Sequence, residues 1–361
     1  MASVSVRLGE RSYIIAFEKS LERLPRELKR LDLGTDAAVI TNSKVKSLFG
    51  KRVVNSLKKA GLNAKFMLVP DSEKAKSLKE AMRLLASLSK FGGKRLFVVA
   101  LGGGVVGDLG GFAASAYKRG IPYIQIPTTL LAQVDSSIGG KVAVDLPEGK
   151  NLVGSFYQPK LVYSDISVLK GLSDRDFASG LAEVIKYAVI TDPALFGYLE
   201  HNRQKILRRD LCALFEIVRK CARIKAGIVS KDEREKRSIR TVLNYGHTIG
   251  HAIEAAQGYS CAYSHGEAIG LGMIAAARIS QRLGIFSAKD LSRIEKLIRD
   301  FGLPVNLRKT SVGKIMRSLS YDKKFIRGIN RFVLPVRIGK VVIKEGVPES
   351  VIREEIKRLY R

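Results

Sequence analysis

Arg95-Leu96-Phe97-Val98-Val99-Ala100-Leu101, running into Gly102-Gly103-Gly104-Val105-Val106-Gly107-Asp108, is the stretch on which the fold turns. Apart from Arg95 its first seven residues are apolar, and a short run rich in β-branched and aromatic side chains predicts a buried strand. Gly102, Gly104 and Gly107 then satisfy G-x-G-x-x-G, and a helix is expected to begin near Asp108. Glycines at such a turn let the backbone approach a pyrophosphate, and the helix N-terminus adds N–H donors and a favourable dipole. A Rossmann fingerprint also carries an acidic ribose-binding residue about 20 residues further on. Here the next strand ends in Pro127-Thr128-Thr129 instead. Two readings stay open: a dinucleotide site of another design, or a tight turn.

Outward from this stretch, Ala37–Thr41, Ala64–Val69 and Tyr123–Ile126 read as further strands. Lys44–Ala60 and Glu73–Lys90 read as the helices between them. Strands alternating with helices predict an α/β unit with a parallel sheet covered on both faces. From Ser173 onward helical periodicity dominates: Ser173–Ile190, Pro193–Leu207, Leu211–Val229, Leu243–Ala256, Gly266–Leu283 and Lys289–Phe301. Arg331–Val336 and Lys340–Lys344 flank Ile338-Gly339 and predict a hairpin. The expected organisation is an α/β domain over residues 1–168 and a mostly helical domain over 169–361, packed closely with a site in the cleft between them.

The chain has 361 residues, 46% hydrophobic, enough for a large core. Its longest apolar runs fall well short of the ~20 residues of a membrane span, and its first residues show no signal pattern. Three widely spaced cysteines (Cys212, Cys221, Cys261) fit reduced thiols and a cytoplasmic location. The net charge of +29 admits a nucleic-acid binder or an enzyme for anionic substrates. The basic residues run along the whole chain and no nucleic-acid-binding motif accompanies them, which favours the enzyme, with no specific nucleic acid and no membrane as partner.

Three of four histidines fall between residues 247 and 265. His247 and His251, at i and i+4, share one helical face, and His265 stands where another helix starts. A single buried histidine is usually a satisfied core residue; three clustered ones favour a metal site. A catalytic zinc takes three protein ligands and leaves one position open, but spacing does not choose among His247, His251, His265 and a carboxylate such as Glu183. Taken alone, Glu183 and Lys186 fit an ordinary surface ion pair one turn apart. In the polar central stretch of the first half, Asp135-Ser136-Ser137-Ile138-Gly139-Gly140-Lys141 and Gly149-Lys150-Asn151-Leu152-Val153-Gly154 place glycines beside lysines, suited to anionic groups.

Together these segments resemble the 3-dehydroquinate synthase family. The likeness rests on GGGVVGDLGGFAASAYKRG (102–120), IPTTLLAQVDSSIGGKVAVD (126–145), GKNLVGSFYQP (149–159), SGLAEVIKYAVI (179–190), LNYGHTIGHAIEA (243–255) and SHGEAIGLGM (264–273). Asp322-Lys323-Lys324 and Phe332-Val333-Leu334-Pro335 also fit. The resemblance implies a homodimeric, NAD+- and Zn2+-dependent lyase (Co2+ able to substitute) acting on the anionic sugar phosphate 3-deoxy-D-arabino-heptulosonate 7-phosphate. It implies Glu183, His247 and His265 as metal ligands and His251 as a histidine that touches substrate or relays protons. Asp135, Lys141, Asn151, Lys186, Lys225, Arg240, Asn244 and Lys323 or Lys324 match substrate-site positions, and Arg119 matches an arginine reaching into the partner subunit's site. Asp71, Glu73, Lys76, Gly103, Gly104, Val105, Asp108, Thr128, Thr129, Lys150 and Lys141 match cofactor-site positions. Two places depart from the family's pattern: Thr41-Asn42-Ser43-Lys44, where T-D-x-N is usual, and Gly171-Leu172-Ser173, where Thr commonly precedes Leu-Pro. Other sugar-phosphate cyclases and polyol-phosphate dehydrogenases of the same fold are the alternatives.

Overall fold

A computed structural model of the chain describes residues 2–91, 95–258, 262–308, 310–320 and 329–360. Lys323 and Lys324 lie outside the described residues, as does Cys261. The chain divides into two compact units: Met1–Leu172 with Leu214–Arg234, and Ser173–Ala213 with Glu235–Arg361. The expected division lay at 168/169; the first segment of the first unit ends at Leu172. The helix Leu211–Lys231, expected in the second unit, belongs from Leu214 onward to the first.

The first unit is built on a seven-stranded sheet of β1 (Ala2–Val6), β2 (Tyr13–Glu18), β3 (Asp36–Asn42), β4 (Asn63–Val69), β5 (Leu96–Gly102), β6 (Tyr123–Pro127) and β9 (Leu161–Asp165). The other two strands of this unit, β7 (Lys141–Leu146) and β8 (Gly149–Phe156), form a separate antiparallel hairpin. The sheet order is β1-β2-β9-β6-β5-β3-β4, and only the edge pair β1/β2 is antiparallel. Every residue of β3 and β5 is buried, as in a sheet covered on both faces. Alternate side chains serve the two faces. Ala38, Ile40, Val98 and Ala100 join one core, and Ala37, Val39, Phe97 and Val99 the other. Strand order reverses between β3 and β5, and in open α/β sheets ligands bind beyond the carboxyl ends at such a point. The glycine loop follows β5 there.

Three local expectations change. The glycine-loop helix spans Gly104–Ala116, so it begins four residues before Asp108. The helix expected from Glu73 starts at Leu78, because Ser77 caps it by accepting from Glu80 N; Lys76 is thereby left in the preceding turn. The glycine-rich central stretch is largely the β7/β8 hairpin rather than a loop.

The second unit is mostly helical: Asp174–Thr191, Pro193–His201, Arg203–Leu207, His247–Ala256, His265–Arg282, Ala288–Asp300, Val312–Ser320 and Glu349–Arg358. The expected C-terminal hairpin is present as β10 (Arg331–Arg337) and β11 (Lys340–Glu345). Among the described residues no helix is long and apolar enough to cross a membrane.

Candidate active site

The glycine loop is shaped for something to come close. Gly103 caps the helix Gly104–Ala116 with no side-chain bond to its first turn. A Cβ on Gly103 would meet Thr129 Cγ2 at 3.1 Å, one on Gly102 would meet Val106 Cβ at 2.7 Å, and one on Gly107 would meet Gln125 Oε1 at 2.6 Å. A side chain at any of these positions would make a neighbour shift, and a bare helix N-terminus favours an anion. Thr128 N donates to Gly102 O at 3.0 Å, and Thr129 Oγ1 accepts from Ala132 N at 3.1 Å, which fixes both threonines beside the loop. These features fit a dinucleotide pyrophosphate held by Gly103, Gly104 and Val105.

One turn into the helix, Asp108 accepts from Lys76 Nζ at 2.5 Å, and Lys76 also donates to Asn151 Oδ1. Burial would push the Lys76 ammonium down, but Asp108, then Glu73 and Asp145, outweigh it and hold the group above its ordinary value. Asn151 sits at φ 58, held by its own N–H donating to Asp145 Oδ1 at 2.7 Å. Lys150 pairs with Glu73 at 3.5 Å. At the carboxyl end of β3, Asn42 Oδ1 accepts from Val45 N at 2.8 Å, while its Nδ2 donates to Asp71 Oδ1 at 2.7 Å. One amide thus both caps the following turn and holds Asp71.

Elsewhere in this unit Lys225 binds Asp135 twice, through the carbonyl at 2.8 Å and Oδ1 at 2.9 Å. Lys141 is exposed and follows Gly139 (φ 103) and Gly140 (φ 66). A Cβ on Gly140 would strike the Gln158 amide at 2.5 Å, so the pair is needed for both conformation and space. Arg119 is exposed at φ 63, beside Lys118 at φ 48.

In the second unit Glu183, His247 and His265 offer ligand atoms all within 4.8 Å of one another. Glu183 is fully buried on the helix Asp174–Thr191; His247 and His265 are the first residues of their helices. Glu183 Oε1 lies 3.6 Å from Nε2 of each histidine. Nδ1 of His247 faces Tyr245 O at 3.1 Å, which leaves Nε2 to bind. The Glu183–Lys186 pair exists, but both groups are buried, so it is no surface pair. His251 is exposed, its ring centroid 5.2 Å from that of His247. It shares a second potential ligand group with His265 and Glu254.

Glycine brings these helices together. A Cβ on Gly266 would lie 2.2 Å from Ser179 O, and one on Gly272 would lie 2.0 Å from Gly246 O. Gly246 adopts φ 79 just before His247. Arg240 is nearly buried and pairs with Glu235 at 3.4 Å. Asn244 ends the short helix that precedes Tyr245. The sequence reading did not single out Glu254. Its signal was there, three residues after His251 on one helical face.

The donor set suits a divalent cation: two partly exposed imidazoles converge on a buried carboxylate. Without a metal, burial pulls the His265 imidazolium down, but Glu183 and Glu254 outweigh it and push it up to about 10. A raised folded value means the protonated ring stabilises the fold fully below about pH 6.5, and that contribution fades as pH rises through about 10. A metal ion must displace this proton. Calorimetric titration of the metal-free chain with Zn2+ near pH 7, in buffers of different ionisation enthalpy, is expected to show release of about one proton from this ring. Heat independent of the buffer would contradict it.

Comparison with known proteins places the chain in a family. The family model described as 3-dehydroquinate synthase N-terminal matches residues 66–179, and that described as 3-dehydroquinate synthase C-terminal matches 180–325. A protein of Thermodesulfovibrio yellowstonii named 3-dehydroquinate synthase is 49% identical over 346 residues, covering 95% of this chain and 96% of that one. One of the same name from Desulforamulus reducens is 46% identical over 355 residues, covering 98% of each. Among solved structures, 2-deoxy-scyllo-inosose synthase complexed with carbaglucose-6-phosphate, NAD+ and Co2+ aligns with a TM-score of 0.89 at 27% identity, covering 99% of this chain and 100% of that one. The glycerol dehydrogenase of Schizosaccharomyces pombe shares the fold alone, with a TM-score of 0.66 at 16% identity, covering 96% of this chain and 88% of that one.

Proposed function

Given that the chain belongs to the 3-dehydroquinate synthase family, we propose that it converts 3-deoxy-D-arabino-heptulosonate 7-phosphate to 3-dehydroquinate and phosphate, a step of aromatic amino-acid biosynthesis. The observation that carries this reading is the convergence of Glu183, His247 and His265 in a chain nearly half identical to relatives of that name. When bound, the metal supplies Lewis-acid charge to substrate hydroxyls, and NAD+ supplies a hydride acceptor regenerated within the turnover.

The chain's own residues bind and orient. N–H groups of Gly103, Gly104 and Val105, with Thr128 and Thr129, hold the pyrophosphate. Asp71, Glu73, Lys76, Asp108 and Lys150 hold the rest of the nucleotide, Lys76 linking Asp108 to Asn151. Lys141, Asn151, Lys186, Lys225, Arg240 and Asn244, with Asp135 fixing Lys225, form charge-assisted bonds to the substrate's carboxylate and phosphate. His251, exposed beside these ligands, moves protons. Arg119 projects on its strained turn toward a second copy in a homodimer. Lys323 and Lys324 belong to the same substrate set, and a cytoplasmic enzyme fits the thiol content.

The test is phosphate release from 3-deoxy-D-arabino-heptulosonate 7-phosphate by purified chain with NAD+ far below substrate. Many turnovers per NAD+, abolished by a chelator and restored by Zn2+ or Co2+, are expected. Turnover of glucose 6-phosphate instead, or stoichiometric NADH accumulation, would replace the reading with another cyclase or a dehydrogenase.

A further inference from the structure

His265 is held between two carboxylates through its two opposite nitrogens. Nε2 lies 3.6 Å from Glu183 Oε1, and Nδ1 lies 3.6 Å from Glu254 Oε2. Glu254 stands on the helix His247–Ala256, seven residues after His247 and three after His251, so it returns to the face that carries both histidines. It is only 9% exposed. A carboxylate this buried requires partners, and here a metal-binding imidazole is within ion-pair reach.

A neutral imidazole has one N–H and one lone pair, and a metal takes the lone pair. The remaining N–H needs an acceptor, which fixes the tautomer and raises the ligand's basicity. The two histidines of this site differ in that acceptor. His247 Nδ1 faces the carbonyl of Tyr245, a neutral backbone group. His265 Nδ1 faces an ionised carboxylate. His265 is also the more exposed of the two, with 31% of its side chain open against 12% for His247. Packing therefore fixes its ring less, and an acceptor has more to do.

We propose that Glu254 is the outer carboxylate that orients His265, accepting from its Nδ1–H so that Nε2 faces the metal, and that this contact sets how tightly the chain retains its metal. The proposal rests on the reading of Glu183, His247 and His265 as the ligands. Glu254 is a positioning residue in this account, since it acts through His265. The competing arrangement, in which His251, Glu254 and His265 are the ligands, also requires His265, so the Glu254 and Glu183 variants separate the two.

The experiment titrates the full-length metal-free chain with Zn2+ against a chromophoric chelator, and separately records the Co2+ absorption spectrum. E254Q keeps the side chain's shape and an acceptor oxygen but loses its charge. Its Zn2+ dissociation constant is expected to rise by about 10–100-fold, at unchanged one-to-one stoichiometry. Its Co2+ band positions and intensities should stay those of the wild type, because the direct ligands are intact. H265A, in contrast, should lose the Co2+ spectrum. E254D, with its shorter reach, should fall between E254Q and wild type, and it stands in should E254Q fail to fold. Wild-type Zn2+ affinity in E254Q and E254D overturns the proposal. So does a Co2+ spectrum altered in E254Q, which would make Glu254 a direct ligand. Wild-type metal binding by both H265A and E183A would instead overturn the ligand reading on which it rests.

Discussion

Glu183→Gln is expected to yield a chain that folds but neither retains its metal nor turns over. The carboxamide keeps the volume of the carboxylate and loses its charge. Glu183 Oε1 is the atom common to both histidines, 3.6 Å from Nε2 of each, so the substitution acts at the centre of the ligand set. A metal that provides several kcal/mol of charge stabilisation in the transition state is lost with it, a fall in rate of about a thousand-fold or more. A second effect comes from Lys186, only 1% exposed and paired with Glu183. Removing one partner of a buried ion pair costs about 3–5 kcal/mol. The variant should therefore melt earlier while keeping its circular dichroism spectrum. Metal content after gel filtration and phosphate release on the same sample check both effects. A metal-replete variant with more than about a tenth of wild-type turnover would be incompatible with this account.

Gly266→Ala is expected to be among the most damaging single methyl groups in the second unit. The added carbon would lie 2.2, 2.4 and 2.6 Å from O, Cα and C of Ser179, all backbone atoms, so no rotamer change relieves it. Overpacking costs about 1–3 kcal/mol where side chains can yield; here two helices must separate, and the cost should reach or exceed the upper end. Those helices carry Glu183 and His265, four residues beyond Ser179 and one before Gly266. Thermal denaturation should show a midpoint several degrees lower, at about 2–4 °C per kcal/mol. Zn2+ affinity should fall by about tenfold or more, since roughly half an ångström matters at a preorganised site. Exposed Gly284→Ala, where nothing stands within 4 Å but φ is +72, is the control for backbone strain without helix separation. Equal metal affinity in the Gly266 variant and wild type would refute the link between this contact and the site.

Local pattern made much of the fold legible. The buried run Leu96–Leu101 and the glycines after it could be read directly, because a strand buried on both faces and a turn too tight for Cβ both leave marks in composition. The rule seeking an acidic residue some twenty positions later failed for a topological reason. The glycine loop follows the third strand of a β4-β3-β5-β6-β9 order, so one strand flanking it, β3, ends at Asn42, earlier in the chain. The metal ligands were less legible. Periodicity placed His247 and His251 on one face, yet the converging set takes His247, His265 and Glu183 from three helices. Whether Glu183 and Lys186 pair in water or in the core is decided by the burial of their helix on every side from Ser179 to Ile190, a tertiary fact that i,i+3 spacing does not contain. Resemblance to a family, not spacing, singled out Glu183, and Glu254 escaped both.

The helix Leu211–Lys231 leaves one unit and serves the other, which bears on how the chain is made. As the protein leaves the ribosome, its first 172 residues emerge without Phe215, the edge-on partner of Phe17, and without Lys225, which binds Asp135. Both arrive only after Ser173–Ala213, a stretch of the second unit, has been synthesised. The nascent N-terminal portion therefore waits, incomplete, for sequence encoded further along the message. A chain cut between the two family-model matches, at residue 179, would sever a unit rather than separate two.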